Sequence, residues 1–269
     1  MLRTLTLALL AVVIAPGLAL AEDADSPPRP AKEVIADLKS KDLDTRMQAV
    51  EDSARCHDSG VTSQLIRMLK EKDHEVRMAV IEALGHRQEK ACRKKAASAL
   101  SPRLKPLGAN LQYEEEYALT IASLHALAQV STIKSLMAFD LDENPETAKA
   151  RLFAVANVPH KSAIETLIAF LSKGRKRGRN NQRQACVQAL RYATGQKLGN
   201  DPDQWRRWWR EVEKDFSFEF IANERAEKER LAAEKKAKQE EKKRRQEEKR
   251  RQREERRKKK EREGSGEDA

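Results

Sequence analysis

Residues 31–88 carry one pattern of apolar and polar positions written twice, 31 residues apart. LKSKDLDTRMQAVEDSA (38–54) lies over LKEKDHEVRMAVIEALG (69–85), with Leu38 on Leu69, Lys41 on Lys72, Asp42 on Asp73, Arg46 on Arg77, Met47 on Met78 and Val50 on Ile81. In the second copy Val61, Leu65, Ile66, Met68 and Leu69 mark one face of a first helix. Asp73 then has the place of an N-cap, and Val76, Ala79, Val80, Ala83 and Leu84 recur near the 3.6-residue period as the inward stripe of a second helix. Gly85 falls where that helix approaches a neighbour closely or begins to end. Such a pair is apolar on both sides and cannot hide its stripe alone. Stacking takes those faces out of water at roughly 25 cal/mol per Å².

Further copies are therefore expected. YALTIASLHALAQV (117–130) repeats the second-helix pattern, and Asn144-Pro145-Glu146 opens another helix leading into ARLFAVANV (150–158). Residues 162–171 followed by QACVQALRY (184–192) make a fifth pair. Arg77 has a counterpart in Arg183 and none in the third or fourth unit. A helical period of this size predicts a solenoid, a fold that presents surfaces to other macromolecules.

The run D-x-E-V-R-x-A-V-x-E-A-L-G at 73–85 resembles the second helix of a HEAT repeat, of the short kind called PBS-lyase HEAT-like. The resemblance covers 31–88 and, more weakly, 117–193. It implies an all-α, right-handed α-solenoid of about five helix pairs. It also implies that Asp42 with Arg46, and Asp73 with Arg77, form a ladder between successive repeats. The name derives from a phycobilin lyase, yet most members of that family are scaffolds, so the name by itself implies no enzyme. ATGQKLGNDPDQWRRWW (193–209) resembles the closing segment of HEAT-like proteins exported by planctomycete-type and related bacteria. Gly195 and Gly199 break the preceding helix there, and Asp201-Pro202 restarts one. Trp205, Trp208, Trp209 and Val212 then share one face, suited either to cover the last open side of the stack or to stack on a ligand.

Charge changes the picture at the ends. Of the net +11, residues 222–263 contribute +8, with 20 Lys or Arg against 12 Asp or Glu, so the body is nearly neutral. This tail is built from strong helix formers, with Glu four residues before Lys or Arg at pairs such as Glu234/Lys238 and Glu241/Arg245, each worth about 0.2–0.5 kcal/mol. After Leu231 it contains no Leu, Ile, Val or Met, so no coiled-coil seam runs along it. A single charged helix in exchange with disorder is expected, acting as a spacer, a polybasic strip or a solubilising tail. Phe216, Phe218 and Phe220 precede it, alternating like an extended segment.

A second basic cluster, Lys173, Arg175, Lys176, Arg177, Arg179 and Arg183, interrupts the fifth pair. It reads as a claw for an anionic partner or as a solvated loop, with no aromatic residue for base stacking. At the other end, Arg3, the apolar stretch that follows and Ala19-Leu20-Ala21 make a secretory signal pattern, which predicts export to the periplasm or beyond.

The domain organisation is then a signal peptide (1–21), a linker (22–30), a solenoid (31–215) closed by a helix at 201–215, a charged tail (216–263) and a disordered end (264–269). Cys56, Cys92 and Cys186 read as small buried residues at helix interfaces, or as one bridge with a thiol left over. The five histidines show no metal spacing, and neither a phosphate-cradling glycine loop nor a nucleophile elbow is present. No catalytic residue, cofactor or metal is expected. The reading is a non-enzymatic exported scaffold with a protein partner, its tail a spacer or a tether to an anionic surface. The alternative is a nucleic-acid or anionic-polymer binder using residues 173–183 and the tail.

Overall fold

Short polar residues at helix starts set several of the element boundaries. In α2 (Leu43–Ser53) the Asp42 side chain accepts from Thr45 N, and in α4 (His74–Gly85) Asp73 accepts from Val76 N. α3 (Ser59–Met68) begins with Asp58 accepting from Gly60 N and Val61 N. Each cap satisfies backbone donors that the first helical turn leaves free. α1 (Ala31–Asp37) precedes them, and α5 (Lys90–Leu100) is followed by a 3-10 turn at Ser101–Arg103. α6 (Glu114–Leu127) starts on three glutamates and ends at Ala128, whose φ of 48° and ψ of 47° lie in the left-handed region. α7 (Ile133–Met137) follows a 3-10 turn at Val130–Thr132. In α8 (Pro145–Ala156) Asn144 accepts from Glu146 N. α9 (Lys161–Gly174), α10 (Asn180–Thr194) and α11 (Pro202–Val212) complete the order.

The computed structural model describes residues 29–105, 113–138, 144–174 and 180–223, with scattered positions between 226 and 248. The chain divides into two units, Met1–Phe216 and Ser217–Ala269. The first is an all-α solenoid, with no strand among the described residues. Its helices pair as α1/α2, α3/α4, α5/α6, α7/α8 and α9/α10. The second members form a continuous layer: α2 packs on α4, α4 on α6, α6 on α8, and α8 on α10. The first members form the other layer, α1 against α3 and α3 against α5, with α9 against the closing helix α11.

The core lies between the layers. Val61, Leu65, Val76, Val80 and Leu84 are fully buried, as their spacing requires. Ile66, placed on the inward stripe of α3 by periodicity, is only half-buried and looks into an open groove beside α5. The first helices of pairs three and four, α5 and α7, escape the periodicity reading. α5 is a lysine-rich run whose buried face is mostly Ala and Cys, and α7 is five residues long. Gly85 does mark a close approach. A Cβ there would sit 2.8 Å from Ser123 Oγ and 3.0 Å from Ser123 Cα, so α4 and α6 meet at this point with no room for a side chain.

In the second unit Phe218 and Phe220 stand in a helical stretch, 218–223, where alternation suggested extended chain. The residues from Ala222 onward are mostly strong helix formers, and their propensity wins over the period-2 pattern. Phe220 and Leu231 are exposed, at 66% and 45%. Ion pairs join Glu234 to Lys238 at 2.6 Å and Glu241 to Arg245 at 2.7 Å. The signal pattern at 1–21 and the tail beyond 248 lie outside the described residues.

Candidate functional site

Two polar seams hold repeat to repeat, and what they leave free is the surface available to a partner. The first seam runs along the starts of the second helices. Arg46 and Arg77 each stand fourth in their helix and make the same set of bonds. Nη1 of Arg46 donates to the carbonyls of Ser40 (2.8 Å) and Lys41 (2.9 Å), and Nη1 of Arg77 to those of Glu71 (2.8 Å) and Lys72 (3.0 Å). Each guanidinium thus satisfies the carbonyls of the turn that joins its own hairpin.

The remaining nitrogens face the next repeat. Arg46 Nε lies 3.8 Å from Glu71, while Arg77 donates to Glu116 Oε2 through Nε (3.2 Å) and Nη2 (3.1 Å). Arg103 donates to the other oxygen of Glu116 and to the carbonyl of Leu69 (3.0 Å). Glu116 is 1% exposed, so one buried carboxylate is shared by two arginines from different repeats. The expected partnership of Asp42 with Arg46 and Asp73 with Arg77 needs correcting on this point. The acids that meet the arginines across the boundary are Glu71 and Glu116, because Asp42 and Asp73 are engaged in capping their own helices. The Thr45 hydroxyl and amide, with Arg46 nearby, hold Asp42 below the usual carboxylate range.

Pair four has an arginine of this kind after all. Arg151, 2% exposed, donates to the carbonyls of Leu136 (2.8 Å) and Ser135 (2.7 Å) and to the Tyr117 hydroxyl. It is the seventh residue of its helix, not the fourth, so register hid it from the sequence comparison. An arginine inside the apolar run ARLFAVA was the available clue.

The second seam lies at the other ends of these helices and has no counterpart in the sequence reading. Arg87, 3% exposed, donates to the carbonyls of Ala83, Cys56 and Ser53 and to the Ser53 hydroxyl. Its burial pushes its pKa below the ordinary arginine value. Further along, Arg93 donates to Leu127 O (2.6 Å), Asn157 to His125 O (2.9 Å), and the Tyr192 hydroxyl to Asn157 (3.1 Å). The three cysteines are free and buried. Cys186 donates to Leu167 O at 3.2 Å, and burial pushes its thiol up to about 12.

At the C-terminal end α11 lies on α9. Trp205 is fully buried with its indole N–H on Gly199 O (2.8 Å), and Trp209 is 5% exposed. Trp208 is half-buried, edge-on to Trp205 and to Phe216 at 6.0 Å. Arg191 donates twice to Leu198 O, and Arg183 once to Asn200 O (3.0 Å), which fastens the loop before α11. Arg183 thus has one donor engaged with the loop before α11. Lys173 is exposed. Arg175, Lys176, Arg177 and Arg179 lie outside the described residues.

In the first three pairs α3 and α5 differ in charge from α2, α4 and α6. On the second helices the exposed acids include Asp44, Glu51, Glu75, Glu114 and Glu115. On the first helices α3 carries only Arg67, and α5 carries Lys90, Arg93, Lys94 and Lys95 with no acid between Lys90 and Leu100. Among the described residues no cluster of three His, Cys, Asp or Glu is placed to hold a metal ion, and no helix is long and apolar enough to cross a membrane.

Residues 31–128, the first three pairs, match a family model described as HEAT repeats. That match supports a HEAT-repeat protein, and pairs four and five extend the same stack past the matched segment. Among curated proteins none matches the chain.

Proposed function

We propose that this chain is an exported, non-enzymatic scaffold that binds another protein through the surface of its solenoid. One observation carries the reading. Arg77, Arg103, Glu116 and Arg87 are engaged in seams that join repeat to repeat, while acids on α2, α4 and α6 and basic residues on α3 and α5 stay exposed. HEAT repeats generally mediate protein–protein contact, which agrees with a surface-presenting role. Export rests on the pattern of Met1 to Ala21, and the basic tail serves as spacer or tether.

Crosslinking mass spectrometry on cells carrying the chain with and without residues 222–269 tests this. Protein crosslinks onto helices of the array, retained when the tail is removed, are the expected result. Loss of every crosslink with the tail, or capture that weakens log-linearly and steeply with salt as phosphate neutralisation does, would instead make the chain an anionic-polymer binder.

A further inference from the structure

α3 and α5 leave an open groove between them in the first-helix layer, lined by Ile66, Ala91, Lys94, Lys95, Ser98 and Ala99. We propose that this groove binds an acidic amphipathic helix of a partner protein. The proposal rests on the scaffold reading and names the surface and the chemistry of what it holds.

Three features of the groove select such a ligand. Its floor is apolar and shallow. Ile66 is a large aliphatic side chain left half-exposed, and Ala91 and Ala99 are small enough to let another backbone come near. From Ala91 to Ala99 the groove follows α5 for about 12 Å at 1.5 Å per residue, room for roughly two turns of a docked helix. Its rim is positive, with Lys94 and Lys95 exposed and Lys95 Nζ fixed 2.6 Å from Ser59 Oγ on the α3 side. Lys90 on α5, Arg67 on α3 and Lys70 in the turn after α3 extend that field. The acids nearest in sequence are Asp58 and Glu89, both at helix starts at one end, and Glu71, which is paired with Arg46.

A ligand that rewards both parts has apolar side chains at helical spacing flanked by carboxylates. A nucleic acid would meet the lysines but gain nothing from an aliphatic floor that offers no ring for stacking. The exposed acids of α2, α4 and α6 would repel the same ligand.

A random 16-residue peptide library displayed on phage and selected on the full chain tests this, with binding of recovered peptides measured by fluorescence anisotropy. Ala91 is exposed, so Ala91→Trp fills the groove without disturbing the core, and Lys94→Glu with Lys95→Glu reverses the rim. Lys39→Glu, on an exposed residue elsewhere, controls for overall charge. The expected result is recovery of peptides with Asp or Glu around Leu or Ile at i, i+3 and i+4. Those peptides lose at least tenfold in affinity on both groove variants and keep it on Lys39→Glu. Failure to recover peptides, recovery without acidic enrichment, or indifference to Ala91→Trp overturns the proposal. So does a 20-nucleotide single strand that binds, senses the lysine reversals and ignores Ala91→Trp. Cellular protein crosslinks that survive unchanged in the Ala91→Trp chain would remove the groove while leaving the scaffold reading in place.

Discussion

Replacing Glu116 by alanine removes the acid at the centre of the boundary between the second and third repeats. The carboxylate accepts two bonds from Arg77 and one from Arg103 and is 1% exposed, while the arginine side chains are 14% and 23% exposed. Removing one partner of a fully buried pair costs about 3–5 kcal/mol. Here both arginines keep carbonyl acceptors, at Glu71, Lys72 and Leu69, and both retain some water. The loss should therefore fall to about 2–4 kcal/mol, which is of order 1 M in a urea midpoint for a slope near 2–3 kcal/mol per M. Glu116→Gln keeps an acceptor oxygen and should cost roughly half as much. A cycle of Glu116→Gln with Arg77→Gln should show coupling of about 1 kcal/mol or more, because the residues touch directly. Circular dichroism at 222 nm reads the array, and tryptophan emission reads its far end, since all three Trp lie between 205 and 209. In a stack held by nearest-neighbour contacts the dichroism transition should broaden and move before the emission transition does. A Glu116→Ala midpoint within 0.2 M of the parent, or strictly additive single changes, would refute the shared-carboxylate account of this boundary.

Gly85→Ala gains about 1 kcal/mol in helix propensity yet forces a Cβ within 3.0 Å of Ser123, so a net loss of about 1–3 kcal/mol is expected, partly recovered by Ser123→Gly; a more stable Gly85→Ala in urea denaturation would contradict the close approach. Ala128→Gly relieves a left-handed alanine at the end of α6 and should raise stability by about 1 kcal/mol, read as an increased melting temperature. Arg87→Met leaves the carbonyls of Ser53 and Cys56 without their donor and should cost about 2–4 kcal/mol in the same assay. The folded state holds the Cys186 proton up to about pH 12 against an ordinary value near 9, so it binds more protons than the unfolded chain in that window, and stability falls as pH rises through it. Cys186→Ala should show a shallower decline between pH 9 and 12, and identical slopes would speak against a buried thiol.

Local signals were the legible part of this chain. Asp42, Asp73, Asn144 and Asp201 cap helices as their short acceptor side chains foretell, because capping depends only on residues two or three positions away. The 31-residue period announced the stacked pairs, since an apolar stripe on each side of a hairpin demands a neighbour. Long-range pairing stayed hidden. Nothing around Glu116 distinguishes it from Glu114 and Glu115 beside it, and only the arrival of Arg77 and Arg103 from other helices makes it the buried one. Arg87 looks like an ordinary surface arginine until the carbonyls of Ser53 and Cys56 are brought to it, and the apolar run around Arg151 does not say that the Leu136 carbonyl will meet it.

Sequence by itself thus determined the all-α class, the stacking of helix pairs and a tryptophan-bearing helix after Pro202, all of which follow from spacing along the chain. Tertiary structure alone decided which acids bridge the repeats, which arginines are buried, and that α3 and α5 leave a lysine-rimmed groove with Ile66 in its floor. The physical reason is that burial and pairing are properties of two surfaces meeting, and a helix carries no mark of which partner will come to cover it.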